Sequence, residues 1–129
     1  KKATYKRPDG AVLVDYDRCI GCHQCVGACP YGARFVDPSK QAGANPGNNT
    51  VGKCTLCAHR LDKGVIPSCA QTCVGGALIF GNLNDPFSPV SQAIQGKSDV
   101  WKPEAGTGPN VRYLSLENKA VLGKEVHQS

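Results

Sequence analysis

The sequence predicts a small α+β domain built from short β-hairpins and short helices, followed by an extended C-terminal tail. Two observations favour this class. Aromatic residues make up only 6% of the chain and Met is absent, whereas 15 glycines and 9 prolines occur among 129 residues, so material for a large apolar core is lacking. Eight cysteines are present, and small, loop-rich folds are commonly stabilised by disulfides or metal. We therefore expect the cysteines to hold the fold together.

The predicted strands and helix are arranged around the cysteine segments. Residues 3–5 and 11–15 are predicted to be strands, joined across a Pro-Asp-Gly turn that ends at Gly10 and supplies the positive φ of a hairpin. Residues 55–63 are predicted to form a helix, and residues 77–80 a closing strand.

Two segments contain no cysteine and are predicted to be irregular. Residues 37–52 are rich in Gly, Asn, Pro and Ser, and are interpreted as a surface excursion without function. We divide the chain into a cysteine-containing domain, residues 1–81, and a docking tail, residues 82–129. The tail has few regularly spaced apolar residues, so we expect it to lie on a partner or on the first domain, with Trp101 and Tyr113 buried.

The cysteine spacing is the strongest functional signal. The first group reads C-x₂-C-x₂-C-x₃-C-P, and the second is a stretched version with the same x₃ ending. Three thiolates at x₂ spacing can wrap one face of a cubane cluster, while the fourth points to a different cluster. The sequence therefore predicts [4Fe–4S] clusters, two by cysteine count, held by Cys19, Cys22, Cys25, Cys29, Cys54, Cys57, Cys69 and Cys73.

Other uses of the cysteines fit less well. Structural zinc uses pairs of C-x₂-C and does not need a third cysteine at x₂ followed by x₃-C-P. Disulfides are disfavoured because tightly spaced cysteines have poor geometry for pairing. A thioredoxin-like C-x-x-C has fewer cysteine neighbours.

His23 and His59 lie within the cysteine segments and are candidate ligands. Eight cysteines already complete two four-iron sites, so we favour roles for both histidines in charge tuning or hydrogen bonding. A fully cysteinyl iron has no open position for substrate. Because the sequence also lacks the usual catalytic and nucleotide-binding motifs, it predicts an electron carrier rather than an enzyme.

The charge and hydropathy restrict the possible partners. The formal net charge of +5 falls to about +1 if two clusters each contribute about −2. The basic residues are scattered, which argues against nucleic acid as a partner. No run of 18 apolar residues occurs, so membrane association is expected only through a partner.

An internal repeat relates the two cysteine groups. The segment after Cys29 resembles the segment after Cys73, and in both an Ala follows four residues later. Lys1-Lys2-Ala3 matches the same pattern from its third position, which places a Cys-Pro pair immediately before Lys1. We therefore expect the chain to be part of a longer protein.

Several longer motifs identify a family. They are spread over most of the chain from Ala3 to Leu114, and resemble the iron–sulfur subunits of molybdopterin oxidoreductases, such as dimethyl sulfoxide, polysulfide, tetrathionate, thiosulfate and arsenate reductases. The motifs are DGAVLVD from Asp9, CIGC from Cys19, ACPYGAR from Ala28, KCTLCAHR from Lys53, KG from Lys63, PSC from Pro67, GNLNDP from Gly81 and GPNVRYL from Gly108.

The resemblance implies a ferredoxin-like fold and a role in a membrane-associated complex. A subunit of this kind relays electrons between a membrane quinone-reactive subunit and a molybdopterin catalytic subunit, and is peripheral, on either the periplasmic or the cytoplasmic side. Val74 replaces the proline that usually follows the last cysteine. The family also carries four cysteine groups and four clusters, of which this chain matches the last two.

Two ligand assignments remain open from the sequence. In a free two-cluster ferredoxin, the main alternative function, Cys73 joins the first three cysteines and Cys29 joins the second group. In the four-cluster pattern that the resemblance implies, Cys19, Cys22 and Cys25 share a cluster with a cysteine upstream of Lys1. Cys54, Cys57 and Cys69 share a different cluster. Cys29 and Cys73 then complete clusters whose other ligands lie upstream of Lys1.

Overall fold

The structure is a computed structural model that describes residues 2–96 and 98–114. The described residues form short helices and two-stranded antiparallel sheets, which confirms the mixed α and β class. Backbone contacts divide the chain into two units, Lys1–Leu78 and Ile79–Ser129. The predicted boundary after residue 81 stays a prediction.

The first hairpin forms as predicted. Strand β1, Thr4–Lys6, pairs antiparallel with β2, Val12–Val14, with Tyr5 opposite Leu13. Gly10 adopts a positive φ of 90° in the connecting turn, a conformation that glycine adopts without steric cost.

A second, longer hairpin occupies the segment that we predicted to be an irregular excursion. Strand β3, Arg34–Ala42, pairs antiparallel with β4, Asn45–Lys53, and Val36 lies opposite Val51. The register shifts between Val36 and Gln41 and again before Ala42. The interpretation of residues 37–52 as irregular was therefore wrong. Its polar composition reflects a bulged ribbon, whose extra residues leave the pairing ladder.

The core of the first unit consists of small side chains. Val51 and Thr50 are the largest fully buried side chains in the described part of the chain, and Ala11 and Ala42 are also buried. Burying a valine stabilises a fold by roughly 1.5–3 kcal/mol. A core of this size agrees with the expectation that apolar packing alone does not hold the unit together.

Three short helices lie in the first unit. They are α1, Gln24–Ala28, α2, Ala58–Leu61, and α3, Ser68–Gln71. The helix predicted over residues 55–63 is confirmed only at its centre, because Leu56 and Cys57 have positive φ values of 54° and 50° that a helix cannot include.

The predicted closing strand at residues 77–80 is absent from the described structure. Ala77 donates its backbone N–H to the Cys73 sulfur at 3.2 Å rather than to a neighbouring strand. The apolar character of these residues was therefore a misleading signal for a strand.

The second unit also contains regular elements. Helix α4, Pro89–Ala93, precedes strands β5, Ser98–Asp99, and β6, Tyr113–Leu114, which pair antiparallel. A 3₁₀ helix covers Pro103–Ala105. The tail is thus less extended than predicted over its described residues, and residues 97 and 115–129 lie outside them.

Trp101 and Tyr113, which we expected to be buried, are both half-buried. Within the described ranges, no helix is both long and apolar enough to cross a membrane.

Candidate cluster-binding site

Three of the predicted ligands line one cavity. The cavity has a volume of about 370 Å³ and lies between the N-terminal segment, the first cysteine loop and strand β4. Cys19 is buried, Cys25 is half-buried and Cys22 is exposed. The other lining residues are Lys2, Ala3, Thr4, Val14, Ile20, His23, Gln24, Arg34 and Val51. The C-x₂-C-x₂-C spacing therefore does bring three cysteines to the wall of one cavity.

The tip of the second hairpin is hydrogen-bonded to the start of the cysteine loop. Gly43 donates its backbone N–H to the Tyr16 carbonyl at 2.8 Å, and Ala44 donates to the Cys19 carbonyl at 3.1 Å. A side chain at Gly43 would approach the Asp17 backbone to 2.5 Å, so only glycine permits this contact.

Strand β4 contacts the same loop at a second place. The Asn48 side-chain amide donates to the Ile20 carbonyl at 3.3 Å, and His23 Nε2 lies 2.9 Å from the Asn49 carbonyl oxygen. A carbonyl oxygen only accepts, so His23 is the donor in this bond. His23 therefore has the hydrogen-bonding role that we favoured over ligation.

Gly21 is required by the close approach of strand β4. A Cβ at Gly21 would lie 2.5 Å from the Asn48 Cβ and 2.7 Å from the Asn49 carbonyl oxygen. Gly21 also has a positive φ of 63°. Glycine at this position therefore lets the cysteine loop lie directly against β4.

The surroundings of Cys19 favour a thiolate. Burial raises the pKa of the Cys19 thiol, but the Thr50 hydroxyl and the backbone N–H groups of Gly21 and Val51 outweigh it, so the pKa lies below its ordinary value. Thr50 is fully buried, and its Oγ1 has no hydrogen-bond partner among the described residues.

Cys29 and Cys73 occupy matching environments. Burial raises the pKa of the Cys29 thiol, while backbone N–H groups over residues 31–33 and the charge of Arg34 lower it overall. The pKa of Cys73 is lowered chiefly by the backbone N–H groups of Leu78 and Ala77. Each sulfur thus lies in a nest of amides, as a thiolate ligand requires.

The backbone confirms the internal repeat. Gly32 and Gly76, each three residues after its cysteine, have φ values of 62° and 63°. In the register predicted from the sequence, Lys2 holds the same position, and its φ is 52°. A positive φ is uncommon for lysine, so the agreement extends the repeat to the N-terminal segment.

The second cysteine group lies in a loop and two helix starts. Cys54 accepts a hydrogen bond from the Leu56 backbone N–H at 3.4 Å, and Cys57 is the N-cap residue of α2. The Cys57 sulfur lies 4.0 Å from the hydroxyl of Ser68, the residue before Cys69. The structure thus places Cys57 beside the segment that carries the third ligand of its group.

Leu56 occupies the same motif position as Gly21, directly before the second cysteine of C-x₂-C. Its φ is 54° and that of Cys57 is 50°, both in the left-handed region. A non-glycine residue in this region costs about 1–2 kcal/mol. Such strain is concentrated at functional sites, where surrounding groups hold the backbone in place.

Two cations lie beside the cysteine groups. Arg34 and Lys53 are opposite each other in the β3–β4 pairing, next to the segments that carry Cys29 and Cys54. Burial, followed by the charge of Arg34, lowers the pKa of Lys53, whose Nζ donates to the carbonyls of Val12 and Cys54. Positive charge placed here offsets the negative charge of thiolate-bound clusters.

The donor set fits [4Fe–4S] clusters. All eight candidate ligands are free cysteines, and three of them have lowered pKa values, with backbone N–H groups among the causes. Within the described ranges, no three His, Cys, Asp or Glu side chains converge as they would around one metal ion. When bound, a cluster supplies one-electron redox chemistry, while the protein supplies thiolates and hydrogen bonds.

The sequence analysis missed the contribution of β4. Asn48, Asn49 and Thr50 contact the first cysteine loop, although we assigned their segment no role. A usable signal was the β-branched pair Thr50-Val51 close before the second cysteine group, since β-branched residues favour strands.

Comparison with known proteins identifies relatives over most of the sequence. The protein is 46% identical to the B subunit of tetrathionate reductase from Salmonella typhimurium, in a match covering 93% of this chain and 46% of the relative. It is 43% identical to the Hdr-like menaquinol oxidoreductase iron-sulfur subunit 1 of Archaeoglobus fulgidus, in a match covering 89% of this chain and 50% of the relative. It is 38% identical to the arsenate respiratory reductase iron-sulfur subunit ArrB of a Shewanella species, in a match covering 87% of this chain and 65% of the relative.

The chain therefore spans about half the length of the curated relatives it matches. These relatives are iron–sulfur or B subunits of oxidoreductases, which agrees with the family resemblance found in the sequence and with a role in electron transfer. Residues 1–83 match the 4Fe-4S dicluster domain family, and the protein belongs to this family.

Proposed function

We propose that this chain relays electrons through [4Fe–4S] clusters between a membrane quinone-reactive subunit and a molybdopterin catalytic subunit. The observation that carries the proposal is the shared cavity of Cys19, Cys22 and Cys25, together with the separate amide nest around Cys29. Three cysteines facing one space and a fourth facing elsewhere is the pattern of proteins that pass electrons between neighbouring clusters.

The proposal places catalysis on a partner. Full cysteine ligation leaves no iron position open to substrate, so each cluster only accepts and donates electrons. The eight proposed ligands are Cys19, Cys22, Cys25, Cys29, Cys54, Cys57, Cys69 and Cys73.

For the sharing of ligands, we propose the four-cluster pattern. Cys73 is not among the residues that line the cavity of the first three cysteines, whereas Ala3 and Thr4 are. The φ of Lys2 matches those of Gly32 and Gly76, which supports a ligand two positions before Lys1 in the repeat register. That ligand would complete the cluster of Cys19, Cys22 and Cys25.

The partners and the location are inferred from the relatives. The name of the Archaeoglobus fulgidus relative refers to a menaquinol oxidoreductase, which supports a quinone-linked complex for this chain. Attachment to the membrane would be peripheral, through a partner, on the periplasmic or the cytoplasmic side.

Residues 82–129 form the proposed docking tail. Phe87 is 83% exposed, and Val111 is also exposed, so the tail offers apolar side chains to a partner. Truncation after Phe80 should weaken co-purification with the partner subunits. Unchanged assembly of the truncated protein would contradict a docking role.

The central experiment measures metal and sulfide in the full-length protein purified without oxygen. We expect iron and acid-labile sulfide in equal amounts, a brown colour, and paramagnetic resonance signals of cubane clusters after reduction. Stoichiometric zinc without sulfide would overturn the proposal. Co-purification with a large catalytic subunit separates the relay subunit from the free two-cluster ferredoxin, which would elute alone.

A further inference from the structure

The buried, unpartnered hydroxyl of Thr50 supports an additional role for strand β4. We propose that the Thr50 hydroxyl donates a hydrogen bond to the Cys19 thiolate and thereby raises the reduction potential of the cluster that Cys19 ligates. Thr50 is thus a positioning and tuning residue, and the inference rests on the proposed cluster binding.

The first argument is the burial of a polar group. Thr50 has an exposed fraction of 0%, and its Oγ1 has no hydrogen-bond partner among the described residues. A buried hydroxyl without a partner is destabilising. Such a group is retained where it meets a strong acceptor, and an anionic sulfur beside it is one.

The second argument is geometric. Strand β4 is fixed against the cysteine loop on both sides of Thr50, by the His23–Asn49 hydrogen bond before it and by Val51 in the wall of the cavity after it. Cys19 is the buried member of its group, so solvent does not compete for its sulfur as it does at exposed Cys22. Thr50 is thereby held next to Cys19, whose sulfur its hydroxyl can reach.

The redox consequence follows from charge. One-electron reduction adds one negative charge, which spreads onto the cysteine sulfurs, while the Thr50 proton stays on its oxygen. A donor hydrogen bond to sulfur stabilises this reduced state more than the oxidised state, and hydrogen bonds to sulfur are known determinants of cluster potential. The backbone N–H groups of Gly21 and Val51 add to the same effect, but they are not removable by substitution.

The test replaces Thr50 in the full-length, cluster-loaded protein with its partner subunits. Thr50→Val keeps the shape and removes the hydroxyl, whereas Thr50→Ser keeps the hydroxyl. At a fixed applied potential, Thr50→Val should lower the ratio of reduced to oxidised Cys19 cluster about tenfold, a shift of about 59 mV for one electron. Thr50→Ser should retain the wild-type ratio.

The measurement is a redox titration followed by paramagnetic resonance, with iron and sulfide counted in each variant. Thr72→Val is the matched control, because the Thr72 hydroxyl donates to the Ser68 carbonyl at 2.8 Å rather than to Cys19. It should leave the potential of the Cys19 cluster unchanged. A Thr50→Val protein with full clusters and the wild-type potential would overturn the inference.

A second measurement tests the inference even if the Thr50→Val protein binds few clusters. Electron–nuclear double resonance on the reduced wild-type and Thr50→Ser proteins should show a hydroxyl proton coupled to the Cys19 cluster that disappears in D₂O. Thr50→Ala, if loaded, should lack this proton. If both hydroxyl-bearing proteins lack it, the inference is wrong. Absence of iron and sulfide from the wild-type protein would instead contradict the proposed function.

Discussion

His23 donates a hydrogen bond from Nε2 to the carbonyl oxygen of Asn49 at 2.9 Å, which joins the first cysteine loop to strand β4. His23 also has a φ of 55° and is the N-cap residue of α1, the helix that carries Cys25. One residue thus sets the direction of the helix and connects the loop to the ribbon.

Removing this side chain should loosen the first cluster. His23→Ala deletes a part-buried hydrogen bond, which contributes about 0.5–1.5 kcal/mol to stability. We expect faster loss of iron to a chelator, with the signal of the Cys19 cluster disappearing first. His59→Ala is the control, because His59 lines a different cavity. Equal rates of iron loss in the wild type and His23→Ala would contradict this role.

Gly21 and Leu56, which both directly precede the second cysteine of a C-x₂-C motif, should differ in how strongly substitution affects stability. Gly21→Ala adds a Cβ that meets Asn48 and Asn49, at a positive φ that costs about 1–2 kcal/mol more. We expect a clear loss of thermal stability and of iron. Leu56→Gly relieves similar strain and removes an exposed side chain, so the stability of this variant should differ from that of the wild type by less than about 1 kcal/mol.

Thermal unfolding of the loaded protein, with iron counted before each scan, measures both variants. If Leu56→Gly were as damaging as Gly21→Ala, side-chain packing rather than backbone conformation would govern this position.

The grouping of the first three cysteines and the β1–β2 hairpin were accessible from the sequence because both depend on local spacing. Ligand spacing places Cys19, Cys22 and Cys25 around one space, and a Pro-Asp-Gly turn fixes the hairpin ending at Gly10. Both signals operate over a few residues, so no knowledge of distant contacts is needed.

The β3–β4 ribbon was not accessible in the same way. Its pairing is interrupted by register shifts, and its polar residues are used for contacts with residues far away in the chain, such as that between Asn48 and Ile20. The strand expected at residues 77–80 failed for the related reason that the Ala77 amide bonds to a cysteine sulfur. The strand propensity of a segment reflects neither of these contacts.

The ion pair between Arg7 and Asp62 predicts a pH dependence of stability. The hydrogen bond from Arg7 holds the pKa of Asp62 below its ordinary value. A lowered folded-state pKa means that the stabilisation is present above the unfolded-state pKa of about 3.9 and is lost as the pH falls through the folded-state value.

The measurement compares the unfolding temperatures of the wild-type and Asp62→Asn proteins from neutral pH down through this acidic range. The wild type should unfold at a slightly higher temperature at neutral pH, and the difference should vanish in acid. Both side chains are solvent-accessible, so the effect is small. In an Arg7→Gln background, Asp62→Asn should have no further effect. A persistent difference in that background would show that Asp62 acts through another group.

Double substitution of cysteines distinguishes the two possible ligand assignments. Cys19 and Cys22 line the same cavity, so replacing both by Ser should remove no more clusters than replacing either alone. Cys73 lies outside the residues lining that cavity and has its own nest of backbone amides. We therefore expect Cys19→Ser and Cys73→Ser to affect different clusters, and their combination to affect both.

Iron content and the separate paramagnetic resonance signals of the full-length protein measure this additivity. The Cys19 and Cys22 pair serves as the internal standard for two ligands of one cluster. If the Cys19 and Cys73 pair behaved in the same non-additive way, Cys73 would be the fourth ligand of the first cluster and the chain would hold two clusters by itself. Additive losses would instead require a fourth ligand from elsewhere, in agreement with the ligand assignment proposed above from the φ values of Lys2, Gly32 and Gly76.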